Sequence, residues 1–274
     1  MSDGLPPLRE VIARYDLGAR KALGQHFLLD LNLTRKIARA AEAGPADRFL
    51  EIGPGPGGLT RALLETGAEV IAIERDARCL EALADIAGAY PGKLTVIEGD
   101  ALAADERALV GDAPVKIAAN LPYNISTELL IKWLRTGGEQ TPLWSRMALM
   151  FQKEVADRIL AAPGSKTYGR LSVIAQAASR PSRAFDLPAR AFTPPPKVDS
   201  SVLVFSPLSA PLVNMAALER LTQAAFSQRR KMLRQSLKSL WGGEVEARLE
   251  RAGVKATDRA ENVSVQKFIE LAAG

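Results

Sequence analysis

The chain has 274 residues, 47% hydrophobic and 24% charged, enough for one large globular domain or one domain with a small companion. No apolar run approaches the roughly 18 residues of a membrane-spanning helix, and MSDGLPPLRE lacks an apolar signal core, so a cytoplasmic protein is expected. One cysteine (Cys79) and one histidine (His26) exclude a disulfide framework and a Cys/His metal site; the net charge of +5 is concentrated in residues 205–274, with 11 Lys/Arg against 7 Asp/Glu, which suits a nucleic-acid partner or plain solubility.

Residues 30–42 have helical spacing, with Asp30 or Asn32 as a cap. RFLEI (48–52) reads as a short buried strand, followed at once by GPGPGG and a helix over 59–65. EVIAIE (69–74), KLTVIEGD (93–100), VKIAAN (115–120) and RMALMFQ (146–152) read as further strands, alternating with helices over 76–89, 126–134 and 153–160. Continuous apolar strands alternating with helices predict an α/β, Rossmann-like domain, its mostly parallel sheet covered on both faces. After about residue 180, SRAFDLP and SVLVFS read as late strands closing the sheet as an antiparallel pair, with the proline-rich FTPPPKVDS (192–200) between them. From about 212 the pattern is helical throughout: 214–240 as one long run, then 244–253 and 264–273. Pro207 and Pro211 interrupt the pattern, so the expected domains are 1–207 and a small all-helical 208–274.

Gly53, Gly55 and Gly58 fit G-x-G-x-x-G between a strand and a helix, where the backbone can turn sharply and approach a ligand. Glu74 ends the next strand, placed to accept both ribose hydroxyls of an adenosine cofactor. These features alone fit NAD as well as S-adenosyl-L-methionine. Asp100, placed to accept from an adenine amino group, with Ala101 beside it, favours the methyl donor; Glu51 could orient the glycine loop. Against an NAD-dependent oxidoreductase, the single histidine precedes the glycine turn and leaves hydride chemistry without an acid or base.

IAANLPYNIST (117–127) ends a strand in an amide, a proline and an aromatic. Strand ends of an open parallel sheet face the ligand crevice, so Asn120 should face the methyl donor. Its side-chain oxygen and the Leu121 carbonyl, held by Pro122, could both accept from an adenine amino group, leaving the nitrogen lone pair free to attack. Tyr123 offers a flat face for stacking, worth about 1–3 kcal/mol. The alternative is a turn with a packed tyrosine.

KALGQHFLLD, EIGPGPGGLT, NLPYNIST, FQKEVADRI, YGRLSV, FTPPPKVDSSV, FSQRRKMLRQSL and RAENVSV occur in that order from about Lys21 to Phe268. In these motifs the chain resembles the bacterial small-subunit rRNA adenine dimethyltransferases, the KsgA (RsmA) family, and their erythromycin-resistance relatives. The resemblance implies two methyl transfers to N6 of each of two adjacent adenosines near the 3′ end of 16S rRNA, in a late small-subunit precursor. It implies that His26 and Leu28 contact the cofactor with Gln25 beside them, that Gly53 lines its amino-acid end with Gly55 also cofactor-binding, and that Glu74 and Asp100 hold ribose and adenine. It further implies that Asn120 touches both cofactor and base, and that Tyr123 stacks on the base with Phe192 over its other face. Position 26 is often Asn in this motif and is His here, which leaves open whether contact there is through side chain or backbone.

Arg229, Arg230, Lys231, Arg234 and Lys238 lie in an acid-free run. On one helix Arg230, Arg234 and Lys238 would share a face, opposite Phe226, Leu233, Leu237 and Leu240, a stripe suited to RNA phosphates. A non-catalytic RNA-binding assembly factor would use the same stripe without needing Asn120. Nothing in the sequence demands a metal, a membrane or more than a monomer.

Overall fold

The apolar runs read from the sequence become strands of one sheet. The computed structural model describes residues 4–20, 24–136, 142–208, 214–228 and 230–274. In chain order come α1 (Leu8–Arg14), β1 (Phe27–Leu28), α2 (Leu31–Ala40), β2 (Arg48–Ile52), α3 (Gly58–Leu64), β3 (Glu69–Glu74), α4 (Cys79–Ala89) and β4 (Leu94–Glu98). Then follow α5 (Glu106–Val110), β5 (Val115–Ala119), α6 (Ser126–Thr136), β6 (Trp144–Gln152), α7 (Lys153–Ile159), α8 (Arg170–Ala178), β7 (Ser179–Leu187), β8 (Phe192–Thr193) and β9 (Ser200–Pro207). Helices α9 (Met215–Phe226), α10 (Leu233–Ser236), α11 (Lys238–Trp241), α12 (Val245–Arg251) and α13 (Val265–Ala273) complete it.

The main sheet runs β4-β3-β2-β5-β6-β9-β7. Strands β4, β3, β2, β5 and β6 are parallel, and β9 joins β6 antiparallel. The order reverses at β2, so the crevice at a topological switch point falls where β2 and β5 end. Both faces of the central strands are buried, which is why they read as continuous apolar runs: Phe49, Leu50, Ile117, Ala118 and Ala119 are fully enclosed. Trp133 and Trp144 lie in this core with their indole N–H groups satisfied, by Glu106 Oε1 at 3.1 Å and by the Trp133 carbonyl at 2.9 Å. Asp30 caps α2 through the Asn32 N–H. A two-stranded sheet, β1 with β8, sets Leu28 opposite Phe192 across a long loop of sequence, a pairing too short to read from periodicity.

The described residues fall into two units: those within 1–133, 141–153 and 182–206 in one; those within 134–140, 154–181 and 207–274 in the other. This division differs from the boundary drawn at 207/208. Tyr168, Val173 and Ala177, at and within α8, share the apolar cluster of Leu218, Leu221 and Phe268, so that stretch packs with the C-terminal helices.

The long helix expected over 214–240 is broken. Helix α9 stops at Phe226, whose ring is pinned between Tyr168 (6.1 Å) and Phe268 (5.5 Å). Beyond it the backbone pairs elsewhere: Met232 bridges to Arg259, Leu233 N–H donates to the Asp258 carbonyl, and Arg234 N–H to that of Ala256. These cross-segment bonds replace the bonds to residue i−4 that a helix would need. Leu233 and Leu237 are still buried, whereas Leu240 is exposed and not part of an apolar seam. No described helix is long and apolar enough to cross a membrane.

Candidate functional site

The glycine turn follows β2. Gly55, at φ +56°, donates its N–H to Glu74 Oε2 at 2.9 Å, so the turn is fastened to the end of β3. Gly57, at φ +87°, starts α3 in a left-handed conformation that any side chain would strain, and a Cβ there, 2.1 Å from Ile86 Cδ1, would also make that isoleucine shift. The sequence pattern, reading Gly53, Gly55 and Gly58, passed over Gly57. Glu74 is 5% exposed and takes the Asp76 N–H on its other oxygen at 2.7 Å. Burial raises its pKa, while the backbone donors pull it back down. Both oxygens are aimed and held by the main chain, and each keeps a lone pair for a further donor.

Asp76 is the centre of a network that the sequence did not announce. It is buried, accepts from Arg78 Nη2 at 2.6 Å and Nε at 2.9 Å, and accepts from Gln25 Nε2 at 3.0 Å. The guanidinium and the amide hold its carboxyl down at about 2. Arg78 also donates to the carbonyls of Asp16 and Gly18, and Gln25 Oε1 accepts from Arg20 N–H. The segment before β1 is thereby tied to the end of β3.

At the end of β5, Asn120 Nδ2 donates to the His26 carbonyl at 2.9 Å. That contact fixes the amide and leaves Oδ1 as the acceptor. The His26 ring turns away: Nδ1 donates to the Pro194 carbonyl at 2.8 Å, and the ring stacks on Tyr123 with centroids 5.5 Å apart. Tyr123 is half-buried, and its hydroxyl meets Ser200 Oγ at 2.6 Å. One face of the tyrosine is therefore covered by His26, and its tip is anchored on β9. Pro122's own carbonyl accepts from Ile125 N–H, which closes the turn after Asn120.

One cleft is lined by Gln25, His26, Gly53, Gly55, Glu74, Asp100, Ala101, Asn120, Leu121, Pro122 and Tyr123, together with Phe27, Ile52, Ile73 and Arg75. Asp100 Oδ1 caps the Leu102 N–H, and its Oδ2 lies 3.4 Å from Arg75. The loop behind it is pinned by Lys132, whose ammonium meets the carbonyls of Ala101 and Ala104 and the Glu106 carboxylate. Two expected members stand outside this lining. Leu28 is buried by its pairing in β1 and walls a smaller chamber behind the cleft. Phe192 is 2% exposed and packs in the core opposite Leu28. Periodicity could not separate a core phenylalanine from an exposed one in a two-residue strand.

Of the basic residues, Arg230, Lys231, Arg234 and Lys238 are exposed; Arg229 lies outside the described residues. Arg230 and Lys231 sit in a turn, Arg234 in α10, and Lys238 opens α11, so they do not form a stripe along one helix.

A family model described as ribosomal RNA adenine dimethylase matches residues 17–273. A Chelativorans protein named ribosomal RNA small subunit methyltransferase A is 59% identical over 98% of each chain. Its namesake from Mesorhizobium japonicum is 58% identical over 98% of each. A dimethyladenosine transferase from Plasmodium falciparum superposes with a TM-score of 0.75 at 28% identity, over 90% of this chain and 96% of that one. The 23S rRNA methyltransferase ErmE gives 0.68 at 26%, over 90% and 98%. With the glycine turn, the acidic strand ends and the Asn120–Tyr123 corner gathered in one cleft, this match over nearly the whole length places the chain in the ribosomal RNA adenine dimethylase family.

Proposed function

We propose that this chain is an S-adenosylmethionine-dependent methyltransferase that dimethylates N6 of two adjacent adenosines near the 3′ end of 16S rRNA, in a precursor of the small ribosomal subunit. The observation that carries the reading is the Asn120 amide, held through Nδ2 by the His26 carbonyl and lining the same cleft as Glu74 and Asp100. The donor set suits S-adenosylmethionine: two carboxylates for hydroxyls and an amino group, glycines where an amino-acid moiety must approach, and apolar walls from Ile52 and Ile73. When bound, that cofactor supplies a methyl group on a positively charged sulfur.

The chain's own part is to hold and aim the amine. Asn120 Oδ1 and the Leu121 carbonyl accept its two N–H bonds, which draws the nitrogen lone pair out of conjugation with the ring. A neutral amide suits this place, since a cationic donor would oppose the sulfonium. The free face of Tyr123, braced by His26 and Ser200, carries the base. Exposed Arg230, Lys231, Arg234 and Lys238 take RNA phosphates, and their binding weakens with salt. The test is transfer of labelled methyl from S-adenosylmethionine to unmethylated small subunits, with mass mapping of the nucleosides formed. N6,N6-dimethyladenosine at two adjacent positions is expected. RNA binding without incorporation would leave only an assembly role.

A further inference from the structure

Asp76, two residues past Glu74, is 4% exposed and bonds in two directions. Its N–H donates to Glu74 Oε1 at 2.7 Å, and its Oδ2 accepts from Gln25 Nε2 at 3.0 Å. Gln25 lines the cleft, but its amide is engaged inside the protein: Nε2 on Asp76, and Oε1 on the Arg20 N–H at 2.8 Å. The next residue is His26, whose carbonyl accepts from Asn120 Nδ2 at 2.9 Å. A run of adjacent contacts thus joins Glu74 to Asn120 through Asp76, Gln25 and His26.

We propose that Asp76 is a positioning residue for methyl transfer: it holds Gln25, Gln25 holds the main chain at His26, and the His26 carbonyl in turn aims the Asn120 amide at the amine. Gln25 then acts as a brace rather than as a cofactor ligand. The inference rests on the methyltransferase reading of the cleft, and it adds to that reading a carboxylate that acts only through its neighbours.

The His26 peptide has an anchor on each side. Downstream, Phe27 pairs with Thr193 and the His26 ring donates to the Pro194 carbonyl, so these bonds tie it to β8. A two-residue ladder is weak support by itself. Upstream, the Gln25 amide ties it to the end of β3, in the same sheet whose β5 carries Asn120. The distance between the His26 carbonyl and Asn120 is therefore set by the Gln25–Asp76 bond, which an ionised acceptor strengthens. Asp76 is a stiff end point, because Arg78 grips it through Nε at 2.9 Å and Nη2 at 2.6 Å and is itself held by the carbonyls of Asp16 and Gly18. Reacting groups need placing to within about 0.5 Å, and a shift of about 1 Å can cost about a hundredfold in rate. Loss of the Gln25–Asp76 bond should thus appear in the rate of transfer, while Glu74 keeps the Gly55 and Asp76 N–H groups that orient it for the cofactor.

The test is single-turnover methyl transfer by the intact protein, with saturating S-adenosylmethionine and unmethylated small subunits. Calorimetry with S-adenosylhomocysteine gives the cofactor affinity, and its stoichiometry counts the folded sites. Gln25→Glu sets one carboxylate against another. The expected result is a transfer rate per folded site lower by about tenfold or more, with the S-adenosylhomocysteine dissociation constant changed by less than about threefold. Gln25→Glu combined with Asp76→Asn exchanges amide and carboxylate, leaves Arg78 an anionic partner, and recovers most of the rate. A purely structural contact would change the number of folded sites and leave the rate at each unaltered. Gln25→Leu keeps the bulk and removes the donor, and it reads the same loss should Gln25→Glu not fold. An unaltered rate per site in these single variants, a loss that the exchange does not recover, or a loss confined to S-adenosylhomocysteine affinity would each overturn the inference. No transfer by the unaltered protein would overturn the methyltransferase reading and this inference with it; normal transfer by every variant overturns this inference alone.

Discussion

Asn120 and His26, 94 residues apart in the chain, are joined by one hydrogen bond from the Asn120 amide to the His26 carbonyl. The histidine acts on Asn120 through its backbone and on Tyr123 through its ring, so one residue positions both members of the corner. Replacing Asn120 with Ala removes the acceptor and the tether together. Turnover of unmethylated small subunits is expected to fall about a hundredfold or more, with a smaller change in cofactor affinity. Single-turnover kinetics check this; near-normal rates would mean that another group orients the amine.

Tyr123 separates two contributions. Tyr123→Phe loses only the contact with Ser200 and should leave RNA affinity within a few-fold. Tyr123→Ala loses the stacking surface, worth about 1–3 kcal/mol. Binding of a short adenosine-containing RNA measures both, and equal effects would place the base elsewhere.

Glu74→Ala removes an acceptor and strands the N–H groups of Gly55 and Asp76. The loss in S-adenosylhomocysteine affinity is expected to be about 1.5–3 kcal/mol, the scale of charge-assisted hydrogen bonds. An unchanged dissociation constant would remove Glu74 from the site.

Asp76 gives a pH signature. Its carboxyl is held at about 2 by Arg78 and Gln25, below the ordinary 3.8. The sign follows: the stabilisation is complete above the ordinary value and is lost as pH falls from about 4 toward 2. Asp76→Asn should cost about 2 kcal/mol at neutral pH, and its deficit against the unaltered protein should shrink in acid. Urea unfolding between pH 3 and 7 measures this; a constant deficit would mean that the network stabilises through packing alone.

Arg230→Ala combined with Arg234→Ala should weaken RNA binding and lower the slope of log affinity against log salt by about two. An unaltered slope would place the phosphate contacts on other residues.

The central sheet was legible because buried parallel strands must be apolar throughout: RFLEI and EVIAIE match β2 and β3 residue for residue. The cleft was legible where chemistry sits at a strand end, as at Glu74 and Asn120. It was not legible where a side chain's role depends on a distant partner. Asp76 reads as one acid among many until Arg78 and Gln25 reach it, and Ser200 reads as a strand serine until Tyr123 meets it. Leu28 and Phe192 lie outside the cleft lining for the same reason, since their mutual pairing withdraws them into the core. The run 226–240 failed because periodicity counts only local bonds, whereas residues 232–234 bond to 256–259.

The bracket around Tyr123 closes through Pro194 and Ser200, far downstream of the tyrosine itself. During synthesis the glycine turn and the amide corner therefore leave the ribosome well before the strand that steadies them. A nascent chain halted short of Ser200 would carry an unbraced aromatic ring, so this corner of the cleft is completed late in the chain's own translation.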